Sequence, residues 1–194
     1  VDAATCAFNL GHAFKDLPVL RDLDRAEGSY RRSLVLREES DSMGRARCIG
    51  QLGHVAYERF RDALNTERPE EELLQYLNEA VTRYQEALDL LPADAVNDLA
   101  VGHHQLGSIF GDAGDLDRAV HHYRESIHYE EAQGNLYGAA QTRGNVAIAL
   151  FNAGRRADAL EYAEAALRGF EPYGAGAVRE IEMTRGLIAT IRGA

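Results

Sequence analysis

The stretch VGHHQLGSIFGDAGDLDRAVHHYRE, residues 101–125, joins two segments of helical pattern through a short loop. Apolar residues in each segment recur every three or four positions, which is the spacing of one face of an α-helix. They are Leu106, Ile109 and Phe110 in the first segment and Ala119, Tyr123 and Ile127 in and just beyond the second. The loop, residues 111–115, contains two glycines and two aspartates, a composition typical of a helix end followed by an N-cap. The stretch therefore predicts a helical hairpin.

The same two-part unit occurs four times along the chain. Each first segment contains an amide residue, an apolar residue and a small residue in succession. These triplets are Asn9-Leu10-Gly11, Gln51-Leu52-Gly53, Gln105-Leu106-Gly107 and Asn145-Val146-Ala147. Each second segment contains an alanine four residues before a tyrosine or a second alanine, at Ala26/Tyr30, Ala80/Tyr84, Ala119/Tyr123 and Ala159/Ala163. The period is about 40 residues, lengthened by an insertion in the second unit, and it predicts hairpins that stack to bury their apolar faces.

The order Leu-Gly-x2-aromatic followed by Ala-x3-aromatic resembles the tetratricopeptide repeat (TPR). The third unit matches this signature best, and Pro92 and Pro172 close the second and fourth units. The resemblance implies an all-α fold, a right-handed α-solenoid of four TPR hairpins with a C-terminal capping helix. The period is similar to that of a longer TPR subtype, about 40 residues per repeat, found in bacterial multidomain regulators. The chain departs from the family in having no tryptophan and in replacing Leu-Gly by Val146-Ala147 in the fourth unit.

We expect residues 1–194 to form a single solenoid domain. The predicted repeats cover residues 3–39, 42–92, 95–132 and 136–172, and the predicted cap helix covers residues 176–192. In the cap, Val178, Ile181, Ile188 and Ile191 form an apolar stripe. The same segment also fits the first helix of a further hairpin. Because a helical pattern begins almost at the first residue, we also expect the chain to be a fragment of a longer one.

The resemblance to TPR proteins implies a binding groove lined by the first helix of each hairpin. In such proteins an amide at the position before Leu-Gly contacts the backbone of a bound peptide, and an amide can both donate and accept a hydrogen bond. The predicted amide row is Asn9, Gln51, Gln105 and Asn145. Side chains on the same helix faces would give specificity; they are Thr5, Phe8, His12, Arg47, His54, Tyr57, His104, Ser108, Gln141, Ile148 and Phe151.

Two pairs of adjacent histidines, His103/His104 and His121/His122, raise the alternative of a metal site. Neighbours in a helix point about 100° apart, so neither pair can act as a two-ligand clamp. A site that uses one histidine from each pair stays open, but no third ligand with zinc spacing is visible. We therefore predict no metal and no cofactor.

Net charge and motifs exclude several classes of function. The formal net charge of −10 opposes binding to nucleic acid, whose phosphates need clustered lysine and arginine. The sequence contains no phosphate loop, nucleophile elbow or metalloprotease motif, so we predict that the chain is not an enzyme. No apolar run approaches the roughly 18 residues of a membrane span, and no signal peptide is recognisable, which predicts a cytoplasmic location without membrane contact.

The predicted function is that of a protein- or peptide-interaction module. The partner is a protein or peptide segment held in the groove, or another domain of the same chain, as in the sensor arm of a multidomain bacterial regulator. One alternative is a structural scaffold or homodimerisation module without a separate ligand. The other is a metal-binding or catalytic helical protein that uses the histidine pairs.

Overall fold

The structure is a computed structural model that describes residues 2–193, and within that range it contains helices and no strand. The helices are α1 (Ala3–Asp16), α2 (Leu23–Leu36), α3 (Ser42–Asn65), α4 (Glu70–Leu90), α5 (Val96–Asp112), α6 (Leu116–Ala132), α7 (Leu136–Asn152), α8 (Arg156–Phe170) and α9 (Val178–Gly193). A 3-10 segment, Glu171–Ala177, joins α8 to α9. The prediction of an all-α fold built from four consecutive helical hairpins is confirmed. No helix within residues 2–193 is long and apolar enough to cross a membrane.

Helix ends follow the turn chemistry of the sequence. The side chain of Asp115 accepts a hydrogen bond from the backbone N–H of Arg118 at 3.1 Å, which caps the start of α6. The preceding Gly114 has a φ of 77°, a left-handed conformation that costs other residues more than glycine. The N–H of Asp115 then donates to the carbonyl of Phe110 at 2.9 Å, which ends α5. These bonds explain why so short a loop suffices between the two helices.

A contact between glycine and tyrosine closes the first three hairpins. An added Cβ atom at Gly107 would lie 2.6 Å from the ring of Tyr123, and one at Gly11 would lie 2.5 Å from the ring of Tyr30. The corresponding distance from Gly53 to Tyr84 is 3.0 Å. Any side chain larger than hydrogen would therefore displace the tyrosine or separate the helices. The fourth hairpin has alanine at both positions, Ala147 and Ala163, and both are fully buried.

The chain divides into two compact units, of which the first ends at Asp98 and the second begins at Leu99. The expectation of one domain over residues 1–194 stays a prediction. In the first unit Phe14, Ala26, Tyr30, Leu52 and Val55 form a buried cluster between the first two hairpins. Ion pairs join the same hairpins at the surface; they are Arg59 with Asp24 and Glu27, each at 2.6 Å, and Arg21 with Asp62 at 2.8 Å.

In the second unit α9 packs against α8 and α7. A buried cluster of Ala140, Ala166, Phe170 and Ala177 anchors the 3-10 segment. Of the predicted apolar stripe on α9, Ile188 and Ile191 are buried, whereas Val178 is 50% exposed. The packed face consists of Ala177, Thr184, Ile188 and Ile191, which are buried, and Ile181, which is half-buried; Val178 lies one residue out of phase with it.

Candidate functional site

The α5–α7–α9 cleft is an opening of about 500 Å³ in the second unit. Its lining residues are His104 from α5, Gln141, Gly144, Asn145 and Ile148 from α7, Phe170 from the end of α8, and Arg179, Glu180, Met183, Thr184 and Leu187 from α9. The α7 residues lie three, four and seven positions apart, so they share one helix face. The cleft therefore lies on the first helices of the third and fourth hairpins, the helices that the sequence analysis assigned to a groove.

The walls of this cleft differ in polarity. Gln141 and Asn145 present amide groups from α7, and Arg179 and Glu180 present opposite charges from α9. Between them Ile148 is 47% exposed and Met183 is 63% exposed. A concave surface that combines exposed apolar side chains with a few polar groups is typical of a ligand site.

Hydrogen bonds connect two of the predicted groove residues directly. The amide nitrogen Nδ2 of Asn145 lies 3.2 Å from Nε2 of His104, and Nδ1 of His104 lies 3.0 Å from Oγ1 of Thr142. Thr142 is fully buried, and the ring of His104 meets the ring of Tyr123 edge-on at 5.6 Å. Burial lowers the pKa of His104, which favours a neutral imidazole. The structure therefore brings His104 and Asn145 together across two helices.

Ser108 and the remaining predicted residues of the second unit do not line the cleft. The hydroxyl of Ser108 donates to the carbonyl oxygen of His104 at 3.2 Å and accepts from the hydroxyl of Tyr123 at 3.1 Å. Gln105 and Phe151 are half-buried and lie outside the lining of the cleft. Of the two members of the predicted amide row in this unit, Gln105 and Asn145, only Asn145 lines the cleft.

In the first unit the predicted charged groove residues are engaged within the protein. Arg47 forms a two-pronged ion pair with Asp98, at 2.7 and 2.8 Å. His54 lies with Nε2 3.7 Å from a carboxylate oxygen of Glu58. Hydrogen bonding by His54, assisted by arginine charge, lowers the pKa of Glu58 to about 2. These pairings hold the side chains in place, and a ligand would have to compete with them.

Aromatic and amide candidates of the first unit vary in exposure. Tyr57 is only 8% exposed and stacks on Phe60 with ring centroids 6.1 Å apart, so little of its surface is left for a ligand. His12 packs edge-on against Phe8 at 4.8 Å. Asn9 is exposed and Thr5 is half-buried. The side-chain oxygen of Gln51 is buried without a hydrogen-bond partner among the described residues.

One histidine from each adjacent pair meets its counterpart across the third hairpin. Nδ1 of His103 lies 3.1 Å from Nδ1 of His122, and the ring of His122 stacks on Phe110 at 5.4 Å. Burial, with some contribution from neighbouring positive charge, lowers the pKa of His122 to about 4. Burial also lowers the pKa of His103. Within residues 2–193 no group of three or more His, Cys, Asp or Glu side chains is placed to hold a metal ion.

A second cleft of about 470 Å³ lies among α6, α7 and α8. The three arginines of its lining are each engaged by a neighbouring side chain. Arg143 pairs with Glu131, Arg155 pairs with Asp158, and Nε of Arg124 donates to the hydroxyl of Tyr162 at 2.9 Å. The larger aliphatic residues of the lining, Val120 and Leu150, are buried, so this cleft lacks the exposed apolar side chains that the α5–α7–α9 cleft presents.

The contribution of α9 to the cleft was not predicted. Residues 176–192 were expected to form a cap helix, and none of its lining residues was among the predicted groove residues; they are Arg179, Glu180, Met183, Thr184 and Leu187. The signal was present in the alternative interpretation of this segment as the first helix of a further hairpin. A helix in that position faces the same side as the preceding first helices, α5 and α7.

Comparison with known proteins supports the fold. Residues 139–171 match the family model of the tetratricopeptide repeat, and they belong to the fourth hairpin, although the third fits the signature best residue by residue. No curated protein sequence matches the chain.

Solved structures similar to the chain cover almost all of it. BtubC (BKLC) from P. vanneervenii is 17% identical, with a TM-score of 0.70 over 97% of this chain and 80% of that one. Aspartyl phosphate phosphatase F from Bacillus subtilis is 17% identical, with a TM-score of 0.66 over 97% of this chain and 45% of that one. TTC0263, a thermophilic TPR protein in Thermus thermophilus, is 17% identical, with a TM-score of 0.57 over 99% of this chain and 100% of that one. At 17% identity these similarities indicate a shared fold over nearly the whole chain, and they do not indicate a shared function.

Proposed function

We propose that this chain, which carries a tetratricopeptide repeat at residues 139–171, is a protein-interaction module that binds an extended peptide segment in the α5–α7–α9 cleft. The observation that supports the proposal is the juxtaposition of amide groups and exposed apolar side chains in one cleft. Asn145 and Gln141 stand beside Ile148 and Met183. An extended peptide offers both kinds of partner, since its backbone carries amides and its side chains alternate in direction.

The binding free energy at such a site would come partly from the peptide backbone and partly from the peptide side chains. Each hydrogen bond from an amide to the peptide backbone would contribute about 0.5–1.5 kcal/mol net. Burial of one apolar peptide side chain against Ile148, Met183 and Leu187 would contribute about 1.5–3 kcal/mol. The charges of Arg179 and Glu180, at one end of the lining, would set the preferred charge of a flanking peptide residue. The amides thus favour any peptide, and the other side chains select among peptides.

The other predicted groove residues remain part of the proposal as a surface of the first unit. Asn9 and His12 are accessible there, whereas Arg47 and His54 are held by ion pairs. The wider role as the sensor arm of a multidomain bacterial regulator is also proposed. It rests on the resemblance alone. We propose no catalytic role for the chain.

Selection of peptides from a random library, followed by calorimetry, tests the proposal. Binding of a selected peptide is measured for the wild type and for the double variant Gln141→Ala/Asn145→Ala. Because two backbone hydrogen bonds are lost, we expect the dissociation constant to rise about tenfold or more. The matched control is Gln75→Ala/Gln85→Ala, which removes two exposed amides from α4.

Each result separates one explanation from another. Unchanged affinity in both double variants would move the binding surface away from the cleft and contradict the proposal. Equal loss in both would indicate a general effect on the fold. Failure to select any peptide, together with a solution mass that rises with concentration in light scattering, would favour the homodimerisation alternative.

A further inference from the structure

Two imidazole rings face each other across the third hairpin. His103 lies on α5 and His122 lies on α6, and both side chains are half-buried. Their Nδ1 atoms are 3.1 Å apart and their ring centroids are 5.2 Å apart. When both rings are neutral, a hydrogen bond between the two Nδ1 atoms needs one proton, which one Nδ1 donates and the other accepts. The accepting Nδ1 therefore turns a lone pair toward the other ring.

The distance between the two nitrogen atoms also matches the spacing of metal ligands. Imidazole nitrogens bind zinc at about 2.0–2.1 Å. Two such nitrogens lie about 2.9 Å apart when the coordination angle is about 90°, and about 3.3 Å apart at the tetrahedral angle. The 3.1 Å between Nδ1 of His103 and Nδ1 of His122 falls between these values. Small rotations of the two rings would therefore turn both lone pairs toward one metal ion.

Aromatic packing holds both rings in place. The ring of His122 stacks on Phe110 with centroids 5.4 Å apart, and the ring of His103 lies 5.7 Å from that of Tyr129. Side chains that are already fixed by packing lose little conformational freedom when they bind a ligand. Burial also keeps both imidazoles neutral near pH 7 by lowering their pKa, and neutral imidazole is the form that binds metals.

Charged groups of α6 act on the pair from two sides. Burial lowers the pKa of His103, and the negative charge of Glu125 opposes that shift, so Glu125 also favours a cation beside this ring. The positive charge of Arg118 has the opposite effect on His122, after the larger effect of burial. Nε of Arg118 lies 2.6 Å from a carboxylate oxygen of Asp115, which compensates that charge locally.

We infer that Nδ1 of His103 and Nδ1 of His122 together bind a divalent transition metal of the class that prefers imidazole ligands, such as Zn²⁺, Ni²⁺ or Cu²⁺. On binding, the proton between the rings moves from Nδ1 to Nε2 of its own ring, so both Nδ1 atoms coordinate the ion and no net proton is released. Within residues 2–193 no third His, Cys, Asp or Glu completes the group, so water fills the other positions.

This site is independent of the proposed peptide binding. Neither His103 nor His122 lines the α5–α7–α9 cleft. The sequence prediction of no metal depended on the lack of a third protein ligand, whereas an ion that keeps bound water needs only two. The structure brings together one histidine from each adjacent pair, which is the arrangement that the sequence left open.

Calorimetric titration of the metal-free protein with Zn²⁺ alone tests the site. We expect one zinc ion to bind per chain at this pair. In His122→Phe the new ring can still stack on Phe110 but offers no ligand atom. We expect zinc affinity to fall about tenfold or more in this variant and in His103→Ala, because loss of an outer-shell partner alone costs about 10–100-fold. The matched control is His128→Ala, an exposed position of α6, which should bind like the wild type.

Nitrogen-15 NMR identifies the atoms that bind the ion, because long-range proton–nitrogen spectra locate the proton on each imidazole. At about pH 7.5 we expect the two Nδ1 atoms to carry one proton between them without zinc and none with zinc. Wild-type zinc affinity in His122→Phe, an Nδ1 proton that persists with zinc, or no zinc binding by the folded wild type would each overturn the inference. So would an equal loss in His121→Ala, which would place the ion on the adjacent pair His121/His122.

Discussion

At the scale of single residues, the glycine that faces a tyrosine sets the distance between the two helices of a hairpin. In Gly107→Ala the new methyl group would lie 2.6 Å from the ring of Tyr123, so the ring or the helix has to move. Overpacking of this kind costs about 1–3 kcal/mol, which exceeds the gain of about 1 kcal/mol from replacing glycine within a helix. We expect the free energy of unfolding, measured by urea denaturation, to fall.

A second glycine provides the control for this prediction. Gly28 lies within α2, and an added Cβ atom there would meet nothing within 4 Å. Gly28→Ala should therefore raise the free energy of unfolding by up to about 1 kcal/mol. If both variants changed stability in the same direction and by the same amount, helix propensity alone would explain the result, and the contact with Tyr123 would have no special role.

Residue patterns of short range were predictable, and contacts of long range were not. The pairing of Gly107 with Tyr123 follows from a repeated motif, because three copies show the same glycine and tyrosine positions and the fourth has alanine at both. The bond from Asn145 to His104 joins residues 41 positions apart. Each residue was a candidate by its helix face, but a sequence carries no measure of the distance between two faces. The hydrogen bond between these two side chains was therefore beyond prediction.

At the scale of helices, equivalent positions differ in what covers them. Leu10 and Leu52 occupy the same place in the first two repeats, yet Leu10 is 49% exposed and Leu52 is 6% exposed. Leu52 packs in a cluster with Ala26 and Tyr30 of α2. Among the described residues of the first unit, no helix covers Leu10 in that way, so about half of its side chain stays in contact with water.

This difference predicts unequal effects of one substitution. Leu52→Ala leaves a cavity in a packed cluster and should lower the free energy of unfolding by about 2–5 kcal/mol. Leu10→Ala removes a half-exposed side chain and should cost less than about 1 kcal/mol. Chemical denaturation of the two variants measures both values. A cost at Leu10 as large as that at Leu52 would show that another surface covers α1 in solution.

In α9 the buried face was harder to predict than the existence of the helix. Its periodicity predicted a helix near residues 176–192, and α9 covers Val178–Gly193. The predicted stripe included Val178, which is 50% exposed, and did not include Thr184, which is buried. A small polar residue is compatible with either face of a helix, so only the packing against α8 decides its burial.

At the scale of the whole molecule, titratable groups of opposite effect determine how stability depends on pH. The pKa of Glu58 lies near 2, below its ordinary value of 4.5, so its contribution is lost as the pH falls through that interval. Burial raises the pKa of Glu130, so acidification relieves a cost at that residue. The pKa of His122 lies near 4, below its ordinary value of 6.5. His122 acts just below neutral pH together with His103 and His104, whose pKa burial also lowers.

Proton binding at His122 makes the folded protein less stable as the pH falls. Between about pH 6.5 and pH 4 the unfolded chain binds a proton at this histidine and the folded chain does not, so acidification favours unfolding. We expect the free energy of unfolding to fall as the pH is lowered through this interval. In His122→Phe the ring can still stack on Phe110 but cannot bind a proton, so the fall should be shallower. His128→Phe, at an exposed position of the same helix, should keep the wild-type slope. Thermal denaturation of the three proteins at a series of pH values measures the slopes, and a wild-type slope in His122→Phe would assign the pH dependence to other groups.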